Sequence, residues 1–233
     1  ALNLAQHICF HEGKAAAVFS LEMSKEQLVN RILSMESGVD AQKMRNGDLS
    51  SSDFGNIIEA AARIAESKNL VIDDTAGIGI GELRSKCRKQ KLEHGVDLVI
   101  IDYLQLMTSG RQVESRQQEV SAMSRNLKLL AKDIGVPVVA VAQLNRNSES
   151  RNDRKPMMSD LRESGSLEQD ADIIMLLHRP DYYDKEDRPG EGDIIVAKHR
   201  NGETAVIRTL FQGHLSRFVN YSGREEPHNT RQD

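Results

Sequence analysis

The chain has 233 residues, 39% hydrophobic and 28% charged, which suits a folded domain with a sizeable core and excludes the disordered, fibrous and collagen-like classes. Its 31 cations and 35 anions leave a net charge of −4, so it is no electrostatic nucleic-acid binder of the histone kind, and any DNA contact must be local. Aromatic residues make up 4% and Trp is absent, which argues against base-stacking platforms as the main binding surface.

Two cysteines, Cys9 and Cys87, occur without metal-ligand spacing and point to a reducing, cytoplasmic setting. No apolar run approaches the ~18 residues of a membrane span, and no signal-peptide pattern is present, so neither membrane association nor secretion is expected.

Short runs rich in Val, Ile and Leu alternate with longer segments of helical period, the pattern of parallel strands covered on both faces by crossover helices. Strands are predicted at Ala15–Ser20, Leu70–Asp73, Leu98–Asp102, Val136–Gln143 and Ala171–Leu177. Between them, Ser24–Ser37 opens with Ser24 and Gln27 at capping-box spacing and carries Leu28, Ile32 and Met35 on one face, which predicts a helix. Ser52–Ser67, Gly81–His94 and Gln117–Ile134 read the same way. After His178 a loop rich in Asp, Glu, Pro and Gly leads to three short runs, Ile194–Lys198, Ala205–Phe211 and Ser216–Val219. Asn201-Gly202 between the first two signals a hairpin. The fold expected is α/β, a mostly parallel sheet flanked by helices with antiparallel strands at its carboxyl-terminal edge. The polar, aperiodic segment Ser222–Asp233 is expected to be a disordered tail.

Several apolar runs end in polar residues. Leu98-Val-Ile-Ile-Asp102 ends in a carboxylate, where a mononucleotide-binding sheet places the acid that holds Mg²⁺ through water; such an Asp also serves commonly as a helix cap. Val18-Phe-Ser-Leu-Glu22 puts a second acid at the same kind of edge, able to polarise a water or to sit against the positive end of the following helix. Val138-Val-Ala-Val-Ala-Gln143 ends in an amide able to hydrogen-bond a terminal phosphate or water. In Lys198-His-Arg200-Asn-Gly202 two cations two apart share one face of a strand, fit to clamp a phosphate or to lie on a solvated hairpin tip. Ser159–Asp172 is dense in polar groups, and its glycine permits close backbone approach. The Asn145–Pro156 loop before it is locally basic through Arg146, Arg151, Arg154 and Lys155, a composition usual in solvated connections.

In order, SLEM at Ser20–Met23, VIIDYLQLM at Val99–Met107, SRNLKLLAKDIGVPVVAVAQLNR at Ser124–Arg146, SDLRESGSLEQDAD at Ser159–Asp172 and KHRNG at Lys198–Gly202 resemble the bacterial replicative DNA helicases of the DnaB family. The likeness covers Ala1–Tyr221, the carboxyl-terminal RecA-like motor domain. It implies a homohexameric ring around single-stranded DNA, with ATP and Mg²⁺ between neighbouring subunits, and with primase, a helicase loader and other replisome proteins as partners. By position, Glu22 resembles the glutamate that activates the hydrolytic water, Asp102 the Mg²⁺-associated acid and Gln143 the phosphate sensor. Lys198 and Arg200 resemble cations inserted into the neighbour's nucleotide site. Arg162, Glu163 and Gly165 match the loop that tracks the DNA backbone, and Arg31 matches an arginine near the nucleotide base.

The sequence departs from the family in lacking a phosphate loop G-x-x-x-x-G-K-[ST], which the family carries immediately before the helix that begins here at Ala1. The family's amino-terminal domain is absent too. The 233 residues alone are therefore expected to hydrolyse ATP negligibly. Another RecA-like ATPase would share the sheet but does not account for SLEM, DLRESGS and KHRNG together, and a catalytically silent DNA-binding or assembly module is the alternative of a different class.

Overall fold

The computed structural model describes residues 1–108, 116–145, 149, 151 and 153–221, the side chains of residues 116 and 162–164 excepted. The expectations for Arg146 and for the tail 222–233 lie outside the described residues.

The parallel sheet consists of β1 (Ala16–Ser20), β2 (Leu70–Asp73), β3 (Leu98–Asp102) and β4 (Val138–Ala140) in the order β2-β1-β3-β4. Its strands alternate between two cores, as period-2 geometry demands. Ala17, Phe19, Val99 and Ile101 face α5 (Ile80–His94) and α6 (Arg116–Ile134), meeting Leu83, Cys87, Met123, Leu127 and Leu130. Ala16, Val18, Leu98 and Ile100 face α1 (Leu2–Phe10) and α2 (Lys25–Ser37), meeting Ala5, Cys9 and Leu28. Both thiols lie in these cores, where burial pushes Cys9 up to about 11 and Cys87 up to about 12.

The capping box expected at Ser24 and Gln27 starts α2, and Gly38, in the left-handed region at φ 71°, ends it. Two further helices, α3 (Ala41–Asn46) and α4 (Ser51–Ser67), complete the crossover from β1 to β2. The cations of α5 are spent on neighbours: Arg84 and Arg88 on Asp133, and Lys86 on Asp73 and Glu82.

The second sheet is antiparallel, in the order β5 (Ile173–His178), β6 (Glu191–His199), β7 (Ala205–Gln212) and β8 (Arg217–Asn220). The run expected as a fifth parallel strand, Ala171–Leu177, is β5, and it pairs antiparallel with β6. One face of β5 is uncovered: Ile173, Met175 and Leu177 are exposed while Ile174, Leu176 and His178 are buried. The run Val136–Gln143 forms only three residues of strand; past Ala140 it stays beside the chain leaving β3, with the Val141 N–H donating to the Ile101 carbonyl and the Leu104 N–H to the Val141 carbonyl, each at 2.9 Å. The hairpin expected at Asn201-Gly202 is present but wide. The last β6–β7 pair is Val196 with Ala205, whereas β6 runs on along β5 with Lys198 opposite Ile174.

Between β5 and β6, a short helix α8 (Pro180–Tyr183) and a loop are fixed by a fork of Arg188 onto buried Asp193, at 3.0 and 2.7 Å. This pair holds the Asp193 carboxyl below the usual carboxylate range. A depressed carboxylate stabilises the fold fully above its unfolded value near pH ~3.9, and the contribution fades as pH falls through the lower folded value. Asp193→Asn should therefore lower stability at neutral pH by about 1.5–3 kcal/mol and flatten the acid limb of the stability–pH curve, as measured by urea unfolding between neutral pH and pH ~2.

Candidate nucleotide and nucleic-acid site

The parallel strands end side by side at one edge of the sheet. Ser20, last in β1, is the register partner of Asp102, last in β3, and Ala140 of β4 lies opposite Ile101. Glu22, Asp102 and Gln143 thus follow three adjacent strand ends.

Turn chemistry places Glu22. The buried Ser20 hydroxyl donates to the Met23 carbonyl at 2.8 Å and accepts from the Met23 N–H at 3.2 Å, while the Leu21 N–H donates to the Asp102 carbonyl at 2.7 Å. Leu21 packs on one core and Met23 on the other. Glu22 between them is left exposed, and no hydrogen bond or ion pair among the described residues engages its carboxylate. The positive end of α2, the competing explanation for an acid here, is served instead by Asp74, whose carboxylate accepts from the Lys25 N–H at 2.9 Å.

Asp102 is half-buried, with a cis peptide bond to Tyr103. The amino end of α1 lies at this same edge.

Gln143 is exposed, but its backbone is latched from both sides. The Gln105 side chain donates from Nε2 to the Gln143 carbonyl at 3.1 Å and accepts at Oε1 from the Gln143 N–H at 3.3 Å. Gln105 lies in a 3-10 turn, Leu104–Leu106, just past Asp102. Sequence reasoning did not single it out; its only signal was an amide three residues beyond the acid in the same motif.

Lys198 and Arg200 ride on the second sheet. Lys198 Nζ donates to the carbonyls of Glu168 at 2.6 Å and Gln169 at 3.4 Å, near the end of α7 (Gly165–Asp170). Arg200 donates from Nη2 to the Gln169 carbonyl at 3.5 Å and lies 3.4 Å from the Asp172 carboxylate. Both cations thus reach the negative end of one helix. A Cβ on Gly202 would come within 2.0 Å of His199 Nδ1, so the His199 ring fills the inside of the turn and leaves room only for glycine. No described hydrogen bond or ion pair joins this pair of cations to Glu22, Asp102 or Gln143.

Arg162 and Glu163 fall in the 3-10 segment Met158–Ser164, and Gly165 opens α7; the side chains of residues 162–164 lie outside the described set. The segment is anchored through Asp160, which is 3% exposed. Arg151 forks onto its carboxylate at 2.9 and 2.5 Å, the Met157 N–H donates to it at 2.7 Å, and the Asn145 N–H donates to its carbonyl at 3.1 Å. Arg151 is accordingly a structural clamp rather than a solvated loop cation. Arg31 stands exposed on α2, with no described partner.

A family model described as "DnaB-like helicase C terminal domain" matches residues 1–220. The chain belongs to that family. The replicative DNA helicase DnaB of Mycobacterium leprae (strain TN) is 52% identical over 207 residues, 88% of this chain and 34% of that protein. The replicative DNA helicase DnaC of Bacillus subtilis (strain 168) is 47% identical over 226 residues, 96% of this chain and 50% of that protein. This DnaB-like chain thus spans a third to a half of the length of these relatives. Two solved structures, one described as an ATPase domain and the other as "The Structure Of A DnaB-Like Replicative Helicase And Its Interactions With Primase", each superpose with a TM-score of 0.90 at 39% identity. Each match covers 94% of this chain, with 78% of the first structure and 53% of the second.

If Gln105 is the latch of the DnaB-like edge, Gln105→Ala should leave the unfolding free energy within about 1.5 kcal/mol of the parent. It should also speed amide hydrogen exchange at Gln143 well above the rate in the parent chain, as followed by NMR.

Proposed function

We propose that this domain is the motor of a replicative DNA helicase, binding ATP and Mg²⁺ at the edge formed by Glu22, Asp102 and Gln143 and coupling hydrolysis to translocation on single-stranded DNA at the replication fork. The observation that carries the reading is that Glu22 and Gln143 have firmly held backbones and side chains that no described residue engages. That is the condition of groups kept for a ligand.

Glu22 polarises the attacking water and accepts its proton at the carboxylate. Gln143 hydrogen-bonds the terminal phosphate or that water through its amide. Asp102 supplies the hard oxygen donor that suits Mg²⁺. A Mg²⁺ ion at a triphosphate is held by one or two carboxylates together with the phosphates, and Asp102 would be one of those carboxylates. When bound, Mg²⁺ neutralises charge developing on the phosphate oxygens. Arg31 lies toward the base of the nucleotide.

Lys198 and Arg200 sit on a different sheet from these groups, an arrangement that suits action on the nucleotide of a neighbour in a homohexameric ring. The turn holding Arg162, Glu163 and Gly165 contacts the DNA backbone in the channel. Primase, which the description of one solved relative names, a helicase loader and other replisome proteins are the partners of the whole protein.

The test requires a chain bearing a G-x-x-x-x-G-K-[ST] loop ahead of Ala1, because that loop cradles most of the triphosphate. Such a ring should show Mg²⁺-dependent ATPase activity stimulated by single-stranded DNA and abolished by Glu22→Ala, while the 233-residue chain alone stays inactive. Arg200→Ala should slow hydrolysis by about 10³–10⁵ with ATP binding retained, and mixing Arg200→Ala with Glu22→Ala subunits should restore part of the rate. A fully active Arg200→Ala ring removes that residue from the mechanism.

For the DNA turn, Arg162→Ala should weaken single-stranded DNA binding alike for all sequences and make the slope of log affinity against log salt shallower by about 0.7. Fluorescence anisotropy across a salt series reads this directly. An unchanged slope excludes Arg162 as a phosphate contact.

A further inference from the structure

The cations of the second sheet and the proposed DNA turn are attached to opposite ends of one short helix. Helix α7 runs from Gly165 to Asp170, about 9 Å at 1.5 Å per residue. Its last residue is pinned to α6, where the buried Ser124 hydroxyl donates to the Asp170 carboxylate at 2.7 Å. Lys198 binds the carbonyls of Glu168 and Gln169. Just past the helix, Asp172 gathers three groups: its carbonyl accepts the Arg200 N–H at 2.8 Å, its carboxylate pairs with the Arg200 guanidinium, and the same carboxylate is bonded by Lys128 of α6.

We propose that Asp172 is a positioning residue that aims Arg200 and joins it to the DNA-contacting turn through α7. This rests on the reading of Arg200 as a cation acting in trans and of residues 162–165 as the DNA contact. A guanidinium offers five N–H donors in a rigid plane. Asp172 and the Gln169 carbonyl occupy one part of that plane, which fixes the direction of the rest. Lys128 keeps the carboxylate in place and, with Arg200, holds it below the usual carboxylate range, so it stays charged throughout the neutral range. With Asp170 and Asp172 held on α6, a displacement of Gly165 by DNA tilts α7 about this anchor and shifts the carbonyls to which Lys198 and Arg200 are bonded.

The experiment uses the ring-forming chain with a phosphate loop ahead of Ala1 and measures kcat and KM for ATP with and without saturating single-stranded DNA, together with DNA affinity. Asp172→Asn, which keeps the shape and removes the charge, should lower the DNA-stimulated kcat by about ten- to a hundred-fold, the loss typical of a slightly misplaced group. KM and DNA affinity should stay within about twofold and basal kcat should fall by less than the stimulated kcat, on the same misplacement argument, and Asp172→Glu should restore most of the stimulation. Lys128→Met, which leaves the carboxylate present but unheld, should give an intermediate loss, and it serves as the test if Asp172→Asn does not fold. Retained DNA stimulation in Asp172→Asn or, failing that variant, in Lys128→Met overturns the inference, as does an equal fall of basal and stimulated rates. If Arg200→Ala is inactive in the same assays, only the positioning role has failed; if Arg200→Ala is fully active, the trans-acting reading has failed and the inference with it.

Discussion

The register of β1 against β3 is the constraint from which the rest of the molecule follows. Both strands are buried on both faces, and odd and even residues feed different cores. A slip of one residue would send Phe19 into the core lined by α1 and α2 and turn Ala16 and Val18 toward α5 and α6. It would also break the bond from the Leu21 N–H to the Asp102 carbonyl. The position of Glu22 relative to Asp102 is therefore set by packing far from either carboxylate, and core density enforces it.

The two sheets are stabilised differently, and their division of labour follows. The parallel sheet is sandwiched by helices, so its strand ends are held from both sides and suit a site where small displacements matter. The antiparallel sheet has a covered face, where Leu161, Ile174 and Leu176 pack together, and an open one on which Ile173, Met175 and Leu177 stand exposed. Lys198, opposite the buried Ile174, and Arg200 reach the end of α7 rather than this open face. The two units are joined at several points: the Phe218 N–H of β8 donates to Asn3 Oδ1 of α1, Arg217 donates to the Met35 carbonyl of α2, and Lys128 of α6 bonds Asp172 just before β5.

The parts legible in the sequence were those written in local pattern. Strands β2 and β3, the capping box of α2 and the helical stripe of α6 were all visible as period or spacing. The placement of β5 was not, because Ile-Ile-Met-Leu-Leu is apolar at exposed and buried positions alike and so hides its own alternation. The residues that fix the site were also hidden, for a different reason. Gln105 reaches Gln143 across 38 positions, Asp74 reaches Lys25 across 49 and Lys128 reaches Asp172 across 44, and composition holds no record of such pairs. The ordered motifs added what periodicity lacked: they pointed to Glu22, Asp102 and Gln143, which the fold brings to adjacent strand ends, and to Lys198 and Arg200, which lie with the other sheet. The local physics of SLEM, a hydroxyl that closes its own turn and two apolar anchors on opposite cores, explains why that string has the order it has.

The burial of both sulfurs makes the domain unusually convenient for spectroscopy. The chain has only two cysteines, and each is packed in a core with its thiol kept protonated well above neutral pH, the state in which maleimides and nitroxide reagents react poorly. The native surface is thus chemically silent toward thiol labels without any cysteine being removed. Gly165 has open space where a side chain would begin, so a single cysteine there accepts a spin or fluorescent label against a dark background in this 233-residue domain and reports the motion of one chosen helix.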